Sequence, residues 1–210
     1  AIFIDEGTKG NRDCHVAANI ADAIGVELIT GSLEEVFGKT IDKVVMEKGD
    51  RFSCTFCRVL RGKCLNRIAH DHDMTKLALA INLDDEAQNV LVNVFRGDPE
   101  RLLKPADTLA EIVPIIRPFL PIPAREVALY AYLHVEGFEI RQCPHSHNAL
   151  INDVHSLLND YTWRHPSTKY AIVNLSEQLV SYGFMPGTHA DICPVRGESD
   201  LSEYRPCRML

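Results

Sequence analysis

The chain has 210 residues, of which 46% are apolar, and a formal net charge of −7 at pH 7. This length and apolar fraction allow one domain with a sizeable core and a smaller appended region. The negative charge argues against a surface that coats nucleic acid, although local basic patches are compatible with it.

The compartment is inferred from the cysteines and from the lack of membrane signals. No apolar run approaches the roughly 20 residues that span a bilayer, and Ala1–Asp5 lacks the basic flank of a signal peptide. The seven cysteines are an odd number in a domain that does not need disulfides, which favours reduced thiols or metal ligation. We therefore expect a cytoplasmic protein with no membrane partner.

The first half of the chain alternates short apolar runs with helical patterns. Strands are predicted at 1–5, 26–29, 76–81 and 111–116. Ser32 followed by Glu35 is a capping-box signature, which predicts that one helix begins there and continues through Val45. Asp84 and Asp85 are carboxylates typical of the first turn of a helix. Strands that alternate with helices favour an α/β fold with parallel strands.

Beyond Pro118 the pattern changes to helices without obvious strands. These helices are predicted at 124–137, 149–162 and 167–182. The chain is accordingly divided into an α/β domain at 1–118, a helical region at 119–183 and a tail at 184–210. The helical region carries Cys143.

Polar segments follow two of the predicted strands. Asp5 to Gly7 comes directly after the first strand, and Asn82 to Asp85 follows the third. In a parallel sheet the reactive residues belong at the carboxyl ends of the strands, where the crevice opens. The alternative for either segment is turn and capping chemistry.

The most specific local motif is a pair of cysteines. Cys54 and Cys57 are separated by two residues, and Cys143 lies far downstream. Two thiols at this spacing can bind one metal, and a distant third completes the site where the fold returns it. Three thiolates on an iron–sulfur cube would leave one iron open to sulfide or substrate. The alternative is half of a structural zinc site, although His70 lacks a following ligand at zinc-finger spacing.

Several motifs across about residues 1–180 occur in the order found in one family. They are Ile4-Asp5-Glu6-Gly7 with Gly10 and Arg12, Cys54-Thr55-Phe56-Cys57 with Arg61 and Asn66, Asn82 to Gln88, Asn93 with Arg96-Gly97-Asp98, Glu126 with Leu129 to Tyr132, Cys143-Pro144, and His165-Pro166 with Thr168 to Tyr170. In these residues the chain resembles the tRNA thiolases of the PP-loop ATPase superfamily, which make 2-thiouridine or 2-thiocytidine. The ordered set is more specific than any one piece.

The resemblance implies a fold and a domain organisation. The fold is a parallel sheet of the adenine nucleotide alpha-hydrolase (HUP-like) type with a C-terminal helical appendage. Residues 1–118 would be an incomplete nucleotide-binding domain, and 184–210 a degenerate zinc ribbon. In that ribbon, Cys193 and Cys207 are not expected to close a zinc site.

The resemblance also implies a reaction. ATP adenylates the C2 oxygen of a tRNA pyrimidine, and sulfur bound at the open iron of a 4Fe-4S cluster then attacks C2 and expels AMP. Cys54, Cys57 and Cys143 match the three cysteines that hold the cluster. Arg61 matches a basic position near the nucleotide, and Asp85 matches an acidic residue that acts as a metal ligand or proton acceptor.

The remaining implications concern nucleotide and partners. Asp5, Gly7, Asn82 and Asp84 match positions that bind ATP and Mg²⁺, with the carboxylates serving magnesium or the ribose. The implied partners are tRNA, sulfide or a ubiquitin-like sulfur carrier, and a second copy or a paralogue of the chain.

Departures from the family pattern support an alternative function. The PP-loop and its central strand are expected before Ala1, so we expect the chain to be a fragment or a segment outside it to supply that strand. Leu79-Ala80-Ile81 stands where the family has Thr-Gly-His, which removes a polar contact to the nucleotide. The alternative is a catalytically weakened paralogue that binds tRNA or a partner subunit without activating ATP.

Overall fold

The structure is a computed structural model that describes residues 1–9, 14–50, 53–103, 113–136, 143–145 and 150–182. The strands in these ranges are β1 (Ile2–Asp5), β2 (Ile29–Ser32), β3 (Leu77–Ala78) and β4 (Ile115–Ile116). The helices are α1 (Cys14–Ala23), α2 (Leu33–Phe37), α3 (Ile41–Lys48), α4 (Ser53–Asp71), α5 (Leu83–Phe95), α6 (Pro99–Leu103), α7 (Ala124–His134), α8 (Leu150–Arg164) and α9 (Thr168–Ser181). None of these helices is long and apolar enough to cross a membrane.

The described strands form two parallel pairs. β1 lies beside β2, with Ile2 opposite Ile29 and Asp5 opposite Ser32, and β3 lies beside β4 in the same sense. Helical crossovers join the members of each pair, as parallel strands require. The predicted α/β class is confirmed, although the described strands form two pairs rather than one continuous sheet. Ile2 packs against the cores beside both pairs, so the two pairs are neighbours.

The first core lies between the β1–β2 pair and one side of α4. Its buried members are Ile4, Leu33, Ile41, Leu60 and Cys64. Gly31 permits this close approach, because a Cβ on Gly31 would lie 2.5 Å from Cδ1 of Ile68. Burial raises the pKa of the Cys64 thiol, which suits a small core residue better than a metal ligand.

The second core joins the helical region to the α/β part. Its buried members are Leu83, Ala87 and Val92 of α5, Val154 and Leu158 of α8, and Val173 of α9. A buried ion pair reinforces the contact, since Nζ of Lys169 on α9 binds Oδ1 of Asp84 on α5. Lys169 also donates to Oδ1 of Asn159 on α8 at 2.7 Å. The helical region is therefore packed directly on α5, while the proposed division of the chain into three parts stays a prediction.

The structure corrects two predicted elements. The second strand begins at Ile29 rather than Val26, because pairing with β1 fixes its register. The helix that begins after Ser32 is two helices, because Gly38 ends α2 in the left-handed conformation at φ 66° and Thr40 caps α3. The Ser32 oxygen accepts a hydrogen bond from the Glu34 N–H, so the predicted helix start is confirmed.

A tight turn at Gly7 connects β1 to the beginning of α3. Gly7 has a positive φ of 64°, and its N–H donates to Oδ1 of Asp5 at 2.8 Å. A Cβ on Gly7 would lie 2.4 Å from Cγ2 of Thr40. The turn therefore needs glycine for two reasons, the backbone conformation and the contact with the helix cap.

We predict that Gly7→Ala destabilises the protein far more than Gly25→Ala. Both glycines have positive φ, but a Cβ on Gly25 would meet nothing within 4 Å. The expected losses in the free energy of unfolding are about 3 kcal/mol for Gly7→Ala and about 1 kcal/mol for Gly25→Ala. Urea denaturation measures both. Equal losses would mean that the contact with Thr40 relaxes without cost.

Candidate functional site

The N-terminal half of α4 presents the predicted thiols and two arginines on one side of the helix. Cys54, Cys57, Arg58 and Arg61 are three, four and seven residues apart, the spacing of one helical face. Cys54 is exposed, and Cys57 is half-buried. Helix geometry alone therefore places Cys54 and Cys57 on the same side of α4.

Arg61 is held in place by a buried carboxylate. Its Nη1 lies 3.0 Å from Oε1 of Glu6, and Glu6 is only 4% exposed whereas Arg61 is 36% exposed. The backbone of Glu6 is also fixed, because its carbonyl oxygen accepts from the Ile41 N–H at 2.9 Å. The guanidinium is thus anchored at the carboxyl end of β1 and still reaches solvent, where an anionic group can meet it.

Arg58 connects the same helix face to α5. Its Nη1 donates to Oδ1 of Asn89 at 2.9 Å. Burial lowers the pKa of Arg58 from its ordinary value, and the nearby Glu86 carboxylate opposes that effect. The guanidinium is a cation, because arginine side chains are not deprotonated in proteins.

The segment that carries Cys143 lies at the N-terminus of α4. Oγ of Ser53 donates to the carbonyl oxygen of His145 at 3.1 Å, across 92 residues of chain. Nε2 of His145 also lies 2.6 Å from Oδ1 of Asp42 on α3. Cys143 is half-buried, and it precedes His145 by two residues. The fold thus returns the third predicted thiol to the helix end where Cys54 lies.

The donor chemistry fits an iron–sulfur cluster, because cysteine thiolates are its usual ligands. The described residues nevertheless contain no group of three or more His, Cys, Asp or Glu side chains already arranged around a metal position. The two segments that carry these cysteines are in contact through Ser53 and His145, but the three thiols are not gathered around one point. The assignment of Cys54, Cys57 and Cys143 as ligands stays a prediction.

The residues predicted to bind nucleotide lie at strand ends, and their contacts are largely structural. Asp5 is exposed at the end of β1 and accepts from the Gly7 N–H. Asn82 caps α5, and Asp85 completes a reciprocal capping box with it, at 3.0 and 3.1 Å. Asp84 is buried, and its Oδ2 accepts from the Ala124 N–H at 2.8 Å. With Lys169 on the other oxygen, both carboxylate oxygens of Asp84 make structural contacts, and its assignment to cofactor binding stays a prediction.

Asp85 retains one feature of a functional carboxyl. Desolvation by the surrounding protein raises the pKa of Asp85. The hydrogen bond from the Asn82 N–H lowers this pKa, and the charge of the nearby Asp84 raises it. Perturbed carboxyls occur at functional sites and also in structural networks. Its contacts fit the capping alternative, and its proposed catalytic role stays a prediction.

Comparisons with known proteins find relatives that are tRNA 2-thiolation proteins. The tRNA 2-thiolation protein NcsA of Haloferax volcanii is 34% identical over 194 residues, which cover 85% of this chain and 60% of that protein. Cytoplasmic tRNA 2-thiolation protein 1 of Anopheles gambiae is 30% identical over 214 residues, covering 99% of this chain and 62% of that protein. No family model matches.

A solved structure agrees with these relatives. The U34-tRNA thiolase NcsA of Methanococcus maripaludis, determined with its 4Fe-4S cluster, superposes with a TM-score of 0.73 at 28% identity, covering 87% of this chain and 61% of that one. Over most of its own length the chain is similar to tRNA 2-thiolation proteins. The resemblance and the HUP-like α/β fold drawn from the sequence are confirmed. The chain spans about 60% of the length of these thiolation proteins.

No sequence pattern predicted the contacts of three side chains around the candidate site. Glu6 belongs to the Ile4–Gly7 motif, but no local pattern pairs it with Arg61. His145 lies two residues after Cys143, which is a sequence signal for a role near that cysteine. No local pattern connects His145 to Asp42, because the two are 103 residues apart. Gly10, Arg12, Cys193 and Cys207 lie outside the described residues.

We predict that Asp85→Asn keeps the stability of α5, whereas Asn82→Ala loses about 1 kcal/mol of unfolding free energy. In Asp85→Asn the new amide oxygen can still accept from the Asn82 N–H. Because the pKa of Asp85 is raised above its ordinary 3.8, wild type should lose stability relative to Asp85→Asn as pH rises through the folded pKa. Thermal melting from pH 3 to 8 measures this difference, and a variant that loses stability relative to wild type with rising pH would contradict it.

Proposed function

We propose that the protein carries out ATP-dependent, iron–sulfur-dependent 2-thiolation of a pyrimidine in tRNA, in the cytoplasm. The observation that supports the proposal is the hydrogen bond from Ser53 to the His145 carbonyl oxygen, which brings the segment of Cys143 to the end of α4 that carries Cys54 and Cys57. The M. maripaludis thiolase, whose structure this chain resembles, holds a 4Fe-4S cluster. A zinc-stabilised module would not need the two arginines that share the helix face with the thiols.

The three cysteines would hold the cluster through their thiolates. When bound, such a cluster leaves one iron without a protein ligand, and that iron can carry sulfur for transfer. The N-terminus of α4 lies at this site, and the partial positive charge of a helix N-terminus favours thiolate over thiol. Ser53 is buried beside Cys54, with its Oγ 4.0 Å from the Cys54 sulfur.

The chain's own charged residues fit the two chemical steps. The C2 oxygen of the pyrimidine attacks the α-phosphorus of ATP and releases pyrophosphate, and sulfur then displaces AMP from C2. Arg61, held by Glu6 and partly exposed, would meet the phosphate charge. Asp5 would serve Mg²⁺ or the ribose from the end of β1, and Asp85 would accept a proton.

A second candidate function is a weakened paralogue that binds tRNA or a partner subunit without activating ATP. The observation that favours it is Leu79, which lies in the core beside β3 and whose N–H donates to the Ile116 carbonyl at 2.9 Å. Together with Ala80 and Ile81 it replaces polar residues at the strand end that faces the nucleotide in the family pattern. The buried Asp84 adds to this loss, because its oxygens are already bonded.

We predict that Cys143→Ser abolishes the visible absorbance of an iron–sulfur cluster after anaerobic reconstitution, while Cys14→Ser does not. Cys14 is an exposed cysteine on α1 and serves as the matched control. Iron and sulfide analysis of both variants measures the effect. A colourless wild-type protein with stoichiometric zinc would overturn the cluster assignment.

The two candidate functions differ in ATP binding. If the protein is a thiolase, the polypeptide expressed from its complete reading frame should bind ATP in the presence of magnesium, as measured by calorimetry. Its affinity for tRNA should fall with added salt, in proportion to a small number of phosphate contacts. Binding of tRNA without ATP would favour the weakened paralogue.

We predict that Asp85→Asn lowers turnover in the thiolation assay. Wild-type turnover by this variant would leave Asp85 only its capping role.

A further inference from the structure

Among the described residues, His145 and Asp42 form a short contact that the proposed chemistry does not use. Nε2 of His145 and Oδ1 of Asp42 are 2.6 Å apart, and the two side chains are 20% and 18% exposed. A hydrogen bond of this length to a carboxylate is characteristic of a charge-assisted interaction. Neither residue matches a motif that the sequence analysis assigned to nucleotide or cluster.

Asp42 is itself firmly held. It lies in the first turn of α3, and its second oxygen accepts from the Lys9 N–H at 3.2 Å. Although partial burial alone would raise it, the hydrogen bond with His145 and the N–H of Lys9 keep the pKa of Asp42 below its ordinary value. The carboxylate is therefore ionised at neutral pH and ready to accept the proton on Nε2. The contact with Lys9 fixes the Asp42 carboxylate to the segment that follows β1.

Ser53 provides the second anchor. Its hydroxyl donates to the His145 carbonyl oxygen, and Ser53 is 2% exposed. His145 is thus bound at two points, through its ring to α3 and through its backbone to α4. Two residues of chain span at most about 7 Å, so an anchored His145 confines Cys143 to the immediate neighbourhood of the α4 N-terminus.

We propose that Asp42, His145 and Ser53 form a clamp that positions Cys143 opposite the Cys54 and Cys57 pair. This inference rests on the proposed function, in which these three thiols bind one cluster. Asp42 and Ser53 are positioning residues, since they act on Cys143 through His145 and touch no reacting atom. The physical need is clear, because Cys143 is 86 residues from Cys57 and a distant ligand must be held against the entropy of the chain that carries it.

The clamp is tested on the cluster-free protein by a double-mutant cycle. The variants are Asp42→Ala, His145→Phe and their combination, and the measurement is the rate at which mild oxidation joins Cys143 to Cys54 or Cys57, mapped by peptide mass spectrometry. Each single variant should slow this reaction about tenfold, the effect of losing one charge-assisted hydrogen bond. The double variant should be no slower than either single one, because both remove the same contact.

Control variants separate positioning from general destabilisation. Glu47→Ala removes another carboxylate from α3, one whose partner is the exposed Lys39, and it should oxidise at the wild-type rate. Ser53→Ala should slow the reaction in the same direction as Asp42→Ala. Thermal melting of all variants identifies any that are unfolded, and a His145→Gln variant then replaces His145→Phe and should retain part of the wild-type rate.

Three outcomes would overturn the clamp. These are a wild-type oxidation rate in Asp42→Ala, slowing factors that multiply in the double variant, and no Cys143 disulfide in wild type. Anaerobic reconstitution of the same proteins distinguishes this failure from failure of the proposed function. If wild type takes up no iron but the Asp42 and His145 variants show coupled oxidation rates, the proposed cluster is wrong and the clamp stands. If wild type takes up iron and Asp42→Ala oxidises at the wild-type rate, only the clamp is wrong.

Discussion

Leu60 and Cys64 of α4 are buried against Ile4 of β1 and Leu33 of α2, and this packing fixes the rotation of α4 about its own axis. Because a helix turns by 100° per residue, burying this side places Arg61 against Glu6 after β1 and Arg58 against Asn89 of α5. Gly31 makes the approach close enough, since any larger residue would meet Ile68. The orientation of the candidate site is therefore a consequence of core packing beneath it.

Three separate parts of the chain meet along the N-terminal half of this helix. The turn after β1 supplies Glu6 to Arg61, α3 supplies Asp42, and the segment at 143–145 supplies Cys143 and His145. The tight turn at Gly7 connects the first two, because it packs on Thr40, the cap of α3. A substitution at any of these contacts is expected to change the positions of the thiols without removing a thiol.

The observed starts of α5, α7, α8 and α9 agree closely with those predicted from the sequence. The α5 start was predicted from its carboxylates, and Asn82 with Asp85 indeed forms a capping box. The starts of α7, α8 and α9 agree with prediction to within one residue, because caps and 3.6-residue periodicity are local signals. The start of β2 was wrong by three residues, since a strand's ends depend on its partner. The break between α2 and α3 was missed although Gly38 and Thr40 both signal it.

Motif order, strand–helix alternation and helical spacing are properties of contiguous residues, so the sequence was sufficient to predict the resemblance to tRNA thiolation proteins, the α/β class and the placement of Cys54 and Cys57 on one helix. Only the tertiary structure decided that Asp84 pairs with Lys169, that Glu6 anchors Arg61 and that His145 meets Asp42. These contacts join residues 55 to 103 positions apart. They form because core packing closes long loops and leaves buried charges that must find partners, and neither effect is visible in a local stretch of sequence.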